Sequence, residues 1–206
     1  ITPNFNVGVM IAHVELKEEN GITTLIQKIE KKIHSEIDIK DVVNLSVIKD
    51  GRDAYKKYGK DPSRYRLAVE SLYRRLAKGN SLYRVNNLVD LGNILSIRTR
   101  KSVAVLDYDK IIGDILIRLG TSNDLYFGIG RGKINIENIP LYEDDLGPFG
   151  SGTSDTERTM ITNQTKKILL FIVSFNGKND LESEIELAKE LYSTYANAME
   201  ITTFIV

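Results

Sequence analysis

The 206-residue chain contains no cysteine and no tryptophan, only two histidines and only four prolines. Without cysteine there are no disulfides, no thiolate metal sites and no cysteine nucleophile, and a disulfide-free chain of this size fits the cytoplasm. The two histidines, His13 and His34, belong to no ligand-spaced cluster, so neither a metal nor another cofactor is expected. Net charge is also missing, with 28 basic residues against 28 acidic ones. Proteins that hold nucleic acid through its phosphates usually carry a basic excess. Any RNA binding must therefore come from a local patch, and nothing points to DNA. The longest dense apolar run, ILLFIVSF at 168–175, is far too short to span a bilayer. No signal-peptide pattern opens the chain, so no membrane partner is expected.

What is present is ordinary globular chemistry. Hydrophobic residues at 42% and charged residues at 27% provide a proper core and argue against disorder. The length suits a single domain over 1–206. FNVGVMIAHVEL (5–16) reads as a strand buried on much of both faces. Ile22, Leu25, Ile26, Ile29 and Ile33 recur at helical spacing and predict a helix over 21–35. A second helix is expected over about 44–58 and a third over 61–79, with Asp61 as N-cap, Pro62 in its first turn and Gly79 as its stop. NNLVDLGNILSI (86–97) is a further short helix. Short strands follow at 102–109, 114–120, 125–129, 133–139 and 140–143, then a Gly/Ser/Thr-rich loop at 147–159. A buried strand (166–175), a helix capped by Asp180 and a closing strand (200–206) complete the order. Helices early and strands in the middle make this α+β, with a mixed sheet and helices packed on one side. The two terminal strands are expected to share that sheet.

Chemistry-bearing patterns are sparse. The stretch Gly128–Lys133 carries three glycines but lacks Walker spacing and reads better as a hairpin turn. No G-x-S-x-G elbow occurs. Glu143, Asp144 and Asp145 form an acidic cluster, either a solvated turn or a pocket acid. Arg64, Tyr65, Arg66, Tyr73, Arg74, Arg75, Lys78, Tyr83 and Arg84 form a local basic and aromatic stretch. It suits either an RNA backbone or a helix face laced with ion pairs.

Three patterns occur in order. The helix start Asn86-Asn87, Val89, Asp90 and Asn93 is followed by Asp107, Asp109, Lys110 and Ile111, then by Gly113 and Arg118. A later element comprises Ser154, Asp155, Thr159, Thr162, Thr165 and Lys166. Together with the DPSRYR opening at 61–66, the composite resembles the editing module, domains three and four, of the phenylalanyl-tRNA synthetase beta chain. In its late element it is similar to the free-standing relatives of that module. The resemblance implies an α+β fold with a pocket between helices and sheet, and tRNA or aminoacyl-tRNA as partner. It also implies an aminoacyl-tRNA ester hydrolase that works by positioning water and the tRNA's own ribose hydroxyl rather than through a strong protein base.

On that reading Asn86, Asn93, Asp144 and Thr159 line the pocket. Arg64 and Arg66 contact phosphate or carboxylate, and Arg74 belongs to the same basic surface. Catalytic residues are not assignable. Two departures are informative. The family pattern has threonine where this chain has Gly92, and histidine twelve positions later where it has Ala104. Losing two polar contacts removes selectivity for a hydroxyl-bearing side chain, so tyrosine editing is not expected. Each motif residue also has a purely structural reading, as a cap, turn or strand hydroxyl. Two other functions stay open: a non-catalytic module binding an amino acid or small metabolite, and a protein-interaction module using the helix face around Arg74.

Overall fold

The near-continuous apolar run after Asn6 becomes a central strand, β1 (Asn6–His13), with a neighbour on each edge. The computed structural model describes residues 1–206. Strands β2 (Ser102–Asp107), β8 (Lys167–Ser174) and β9 (Met199–Ile205) complete a four-stranded sheet in the order β2-β8-β1-β9. The terminal strands β1 and β9 are neighbours in it, as expected. Every pairing is antiparallel, which corrects the expected mixed sheet. The helical crossover from β8 to β9 makes those two strands parallel to each other, but β1 lies between them and runs against both.

Alternation assigns the two faces of this sheet. Gly8, Met10, Leu170, Ile172 and Val105 share one face through their pairing register. On it lie α4 (Asn87–Thr99) and α5 (Leu181–Ala196). Gly8 permits the close approach of α5, because an added Cβ would stand 3.2 Å from Ile185 Cγ1. α1 (Asn20–Glu36) and α3 (Ala68–Ala77) pack against α4 as an outer layer. α2 (Ser46–Lys57) precedes α3 in the chain. Val9, Ile11, Leu169, Phe171 and Ala104 point the other way. There a second antiparallel sheet, of β3 (Leu116–Leu119), β6 (Pro140–Asp144) and β7 (Gly147–Ser151), meets the first. Its Tyr142 ring packs edge-on against Phe171 at 4.8 Å. The helices thus occupy one side, and the class is α+β.

Three expectations need correction. The third helix begins at Ala68, not near residue 61. Asp61 caps a tight turn, accepting from the Ser63 N–H at 2.8 Å. The Ala68 N–H is held by the Gly152 carbonyl at 2.9 Å, while Leu67 fills the space above Gly51. The expected loop at 147–159 contains β7 and a 3-10 turn, Glu157–Thr159. Glycine composition hid the strand. It pairs because Gly150 leaves room for the Tyr142 ring, 2.7 Å from where a Cβ would stand. The expected strand at 133–139 is reduced to β5 (Gly132–Lys133), paired with β4 (Phe127–Gly128), and a lone parallel bridge from Glu137 to Gly120. Ile136 and Ile139 are core residues instead. The glycine stretch 128–133 is the turn of this hairpin, with Gly130 and Gly132 at φ +64° and +69°. No helix is long and apolar enough to cross a membrane.

Candidate functional site

The asparagine pair at the start of α4 is spent on holding the chain together. Asn86 Oδ1 accepts from the Val89 N–H at 3.0 Å and is the N-cap, the favoured role for asparagine there. Asn87 Nδ2 donates to the carbonyls of Glu15 and Tyr195 at 2.9 and 3.1 Å. Those bonds tie α4 to the exits of β1 and α5. Asp90, buried, accepts from Arg84 Nε at 2.7 Å and the Val85 N–H at 3.1 Å. Between the starts of α1 and α4 lies a polar cleft of about 560 Å³ bordered by Lys17, Glu19, Arg84, Asn86 and Asn163.

The other expected pocket residues do not converge on one point. Asn93 is half-buried two turns beyond Asn86 on the same face of α4. Gly92 packs against Val105 and the Tyr192 hydroxyl, on the helix side of the main sheet. Ala104 lies on the opposite side, paired with Phe171. The two departures from the family pattern therefore do not share a cavity, and Ala104 is itself buried beside Phe171, against which the Tyr142 ring packs.

Asp144 and Thr159 are buried in a region where the later motifs interlock. Arg158 donates to both oxygens of Asp144, at 2.8 and 3.0 Å, and to the Lys110 carbonyl at 3.2 Å. Burial disfavours the Asp144 carboxylate, but its bonds from Arg158, the Ile112 N–H and the Leu146 N–H hold its pKa below the usual range. Thr159 reaches the Phe149 carbonyl at 3.4 Å. Thr165 donates to Asp107 at 2.7 Å. These side chains lock the turn after β2 to the segment before β8.

Sequence reasoning gave Asp155 no separate role. Its Oδ1 is buried without a partner, as is the hydroxyl of Tyr142. Burial pushes the Asp155 carboxyl up to about 7. Burial also raises Tyr55, Tyr126 and Tyr142 nearby. Tyr55 shares a 2.9 Å hydrogen bond with Thr153, and Tyr126 donates to the Ser154 carbonyl. The only signal available in the sequence was the Ser154-Asp155 pair of the late element.

The basic stretch divides into two groups. The buried Lys60 ammonium lies 4.0 Å from the half-buried Tyr65 ring, and the exposed Arg64 lies 5.9 Å from it. Arg66 reaches Glu70 at 3.8 Å, and Arg52 also holds Glu70, at 2.8 Å. Further along, the Arg75 guanidinium lies 3.7 Å over the Tyr83 ring, which is 71% exposed. Arg74 is half-buried on α3. Tyr73 is not part of this surface, since its hydroxyl donates to the buried Ile97 carbonyl. His13 pairs with Glu200 at 2.9 Å, and His34 lies under Gly79.

Residues 50–195 match the B3/4 domain family. Over 116 residues, 55% of this chain, the sequence is 28% identical to the phenylalanine–tRNA ligase beta subunit of Fusobacterium nucleatum subsp. nucleatum. The matched part is 14% of that protein's length. Among solved structures the chain is similar to an N-terminal fragment of the phenylalanyl-tRNA synthetase beta subunit from Pyrococcus horikoshii. That match has a TM-score of 0.47 and 12% identity, and covers 98% of this chain and 50% of the fragment.

Proposed function

Because this chain belongs to the B3/4 domain family, we propose that it binds tRNA and removes a mismatched aminoacyl group from it in trans. The supporting observation is the Arg75–Tyr83 pair. An exposed aromatic ring with a guanidinium stacked 3.7 Å above it offers a stacking surface and a phosphate contact together. Arg64 is a further exposed cation, 5.9 Å from the half-buried Tyr65 ring. A neutral protein needs such local features to hold a polyanion. The hydrolytic step would be attack of water on the aminoacyl ester. The protein would orient the ester and exclude bulk water, and the ribose hydroxyl would assist. Tyrosine is not the proposed substrate: neither Gly92, packed on Val105, nor Ala104, buried beside Phe171, can supply the polar contact that the synthetase pattern has at its position.

The test has two arms. Binding of unacylated tRNA is measured at increasing salt for the wild type and for Arg75→Ala/Tyr83→Ala. The reading expects salt-sensitive binding that the double variant weakens at least tenfold. Deacylation of a panel of mischarged tRNAs is measured with Asn93→Ala as control. Release of one amino acid, lost in the control, supports an editing hydrolase. Binding without release on any tRNA would remove the hydrolytic step and favour a non-catalytic binding module. Absence of binding would overturn the tRNA reading itself.

A further inference from the structure

The face of the main sheet that carries no helix is only partly covered. Val9 and Ile11 of β1, Leu169 and Phe171 of β8 and Phe204 of β9 form the floor of a cavity of about 530 Å³. Ile115, just before β3, Ile117, within it, and Tyr108 also line it. Eleven of the thirteen lining residues are hydrophobic. That size and composition fall within the range of sites that bury a small organic molecule, roughly 300–1,000 Å³. Phe204 remains 45% exposed at the opening. None of the residues expected for the aminoacyl pocket lines this cavity.

Asp114 is the one charged side chain that lines the cavity. The Asp145 carboxylate lies directly over Gly113, so closely that any side chain there would collide with it. Three nearby cations are paired with other carboxylates: Lys110 with Asp107, Arg118 with Glu143 and Arg158 with Asp144. Neither Asp114 nor Asp145 takes part in an ion pair. Lys167 lies on the same sheet face, with its ammonium 4.4 Å over the Tyr108 ring.

We propose that this cavity is a second binding site, for a small molecule with an apolar body and one ammonium group. The body lies against Leu169, Phe171 and Phe204, and the ammonium sits at the acidic opening beside Asp114. The apolar floor supplies most of the affinity, because the effect scales with surface removed from water. The carboxylates select the sign of the head group, since an exposed charge contributes more to discrimination than to strength.

The test uses three probes that share one body and differ in the head: 4-phenylbutylamine, 4-phenylbutanol and 4-phenylbutyrate. Each is titrated into the whole chain at neutral pH, and isoleucine and leucine methyl NMR signals are followed. The amine should bind best and the acid worst, with shifts concentrated at Ile11, Ile117 and Leu169. Asp114→Asn, an exposed substitution that leaves the fold alone, should weaken the amine about three- to fivefold and leave the alcohol unchanged. Phe204→Ala should weaken the amine and the alcohol alike. Two results would overturn the proposal: no shift at those methyls with any probe at millimolar concentration, or butyrate binding as well as the amine, which would give the head-group preference to Lys167. No RNA or ester enters the titration, so its result is independent of the tRNA reading.

Discussion

Gly92 on α4 lies so close to Val105 on β2 that a Cβ placed on the glycine would collide with the valine methyl Cγ2. The absent side chain is what lets the helix lie flat on the sheet. Restoring the synthetase-type residue with Gly92→Thr would therefore not open a polar pocket. It would force helix and strand apart and bury a hydroxyl between them. The expected loss is about 1–3 kcal/mol, the usual cost of overpacking a filled core, read as a lower urea midpoint. An unchanged midpoint would show that α4 has room the structure does not display.

The Asn86 side chain caps α4 by accepting from the Val89 N–H. Asn86→Ala should cost about 1 kcal/mol through loss of that cap, whereas Asn86→Asp should be close to neutral because aspartate caps as well. The pair separates structure from recognition. If Asn86→Asp folds normally yet changes ligand or tRNA binding, Asn86 acts in a site as well as in a cap.

Arg158 closes a bidentate pair with Asp144, whose side chain has no exposed surface. Removing only the cation would leave a buried carboxylate with two backbone N–H donors. Arg158→Ala should destabilise by roughly 2–4 kcal/mol, as breaking one side of a buried pair does. Because the folded-state pKa of Asp144 is depressed, the stabilisation is full above the usual carboxylate pKa of about 4 and is lost as pH falls through the lower folded value. The gap between wild type and Arg158→Ala should accordingly narrow in acid. Urea midpoints at pH 3 and pH 7 measure it, and a gap of equal size at both would remove the ion pair as its cause.

Local patterns were legible wherever the physics was local. The apolar period of residues 22–33 gave α1, and the asparagines at 86–87 marked the start of α4. Gly79, at φ +81°, marked the end of α3. The arrangement of the site was not legible. Whether Gly92 and Ala104 face one pocket depends on the register of β2 against β8, strands more than sixty residues apart in the chain. A slip of one residue exchanges the two faces. The strand within 147–159 is not legible in the sequence because a strand rich in glycine lacks the branched side chains that usually mark one. Asp144, Asp107 and Thr165 stood out as polar motif positions, but their partners are fixed by tertiary contacts that no spacing reveals.

Asp155 shows its nature only in the fold, and it gives the sharpest pH test. Its Oδ1 lies 2.8 Å from the position a Gly150 Cβ would take, without a hydrogen-bond partner and among buried tyrosines. Burial raises the folded-state pKa to about 7, while the unfolded chain ionises near the ordinary carboxylate value of about 4. Between those pH values the unfolded state releases a proton that the folded state keeps. Stability from this residue is therefore greatest below about pH 4, declines as pH rises to about 7 and is flat above it. Three pKa units correspond to about 4 kcal/mol by linkage. Asp155→Asn cannot ionise, but it still buries an amide that must find partners. The variant should be more stable than the wild type at pH 8, by about 2 kcal/mol or more, and equal to it or slightly worse at pH 4. Urea denaturation of both proteins at half-unit steps from pH 4 to pH 8 measures this difference. Two parallel curves would mean that Asp155 finds a hydrogen-bond partner or solvent in the native protein and carries no buried proton.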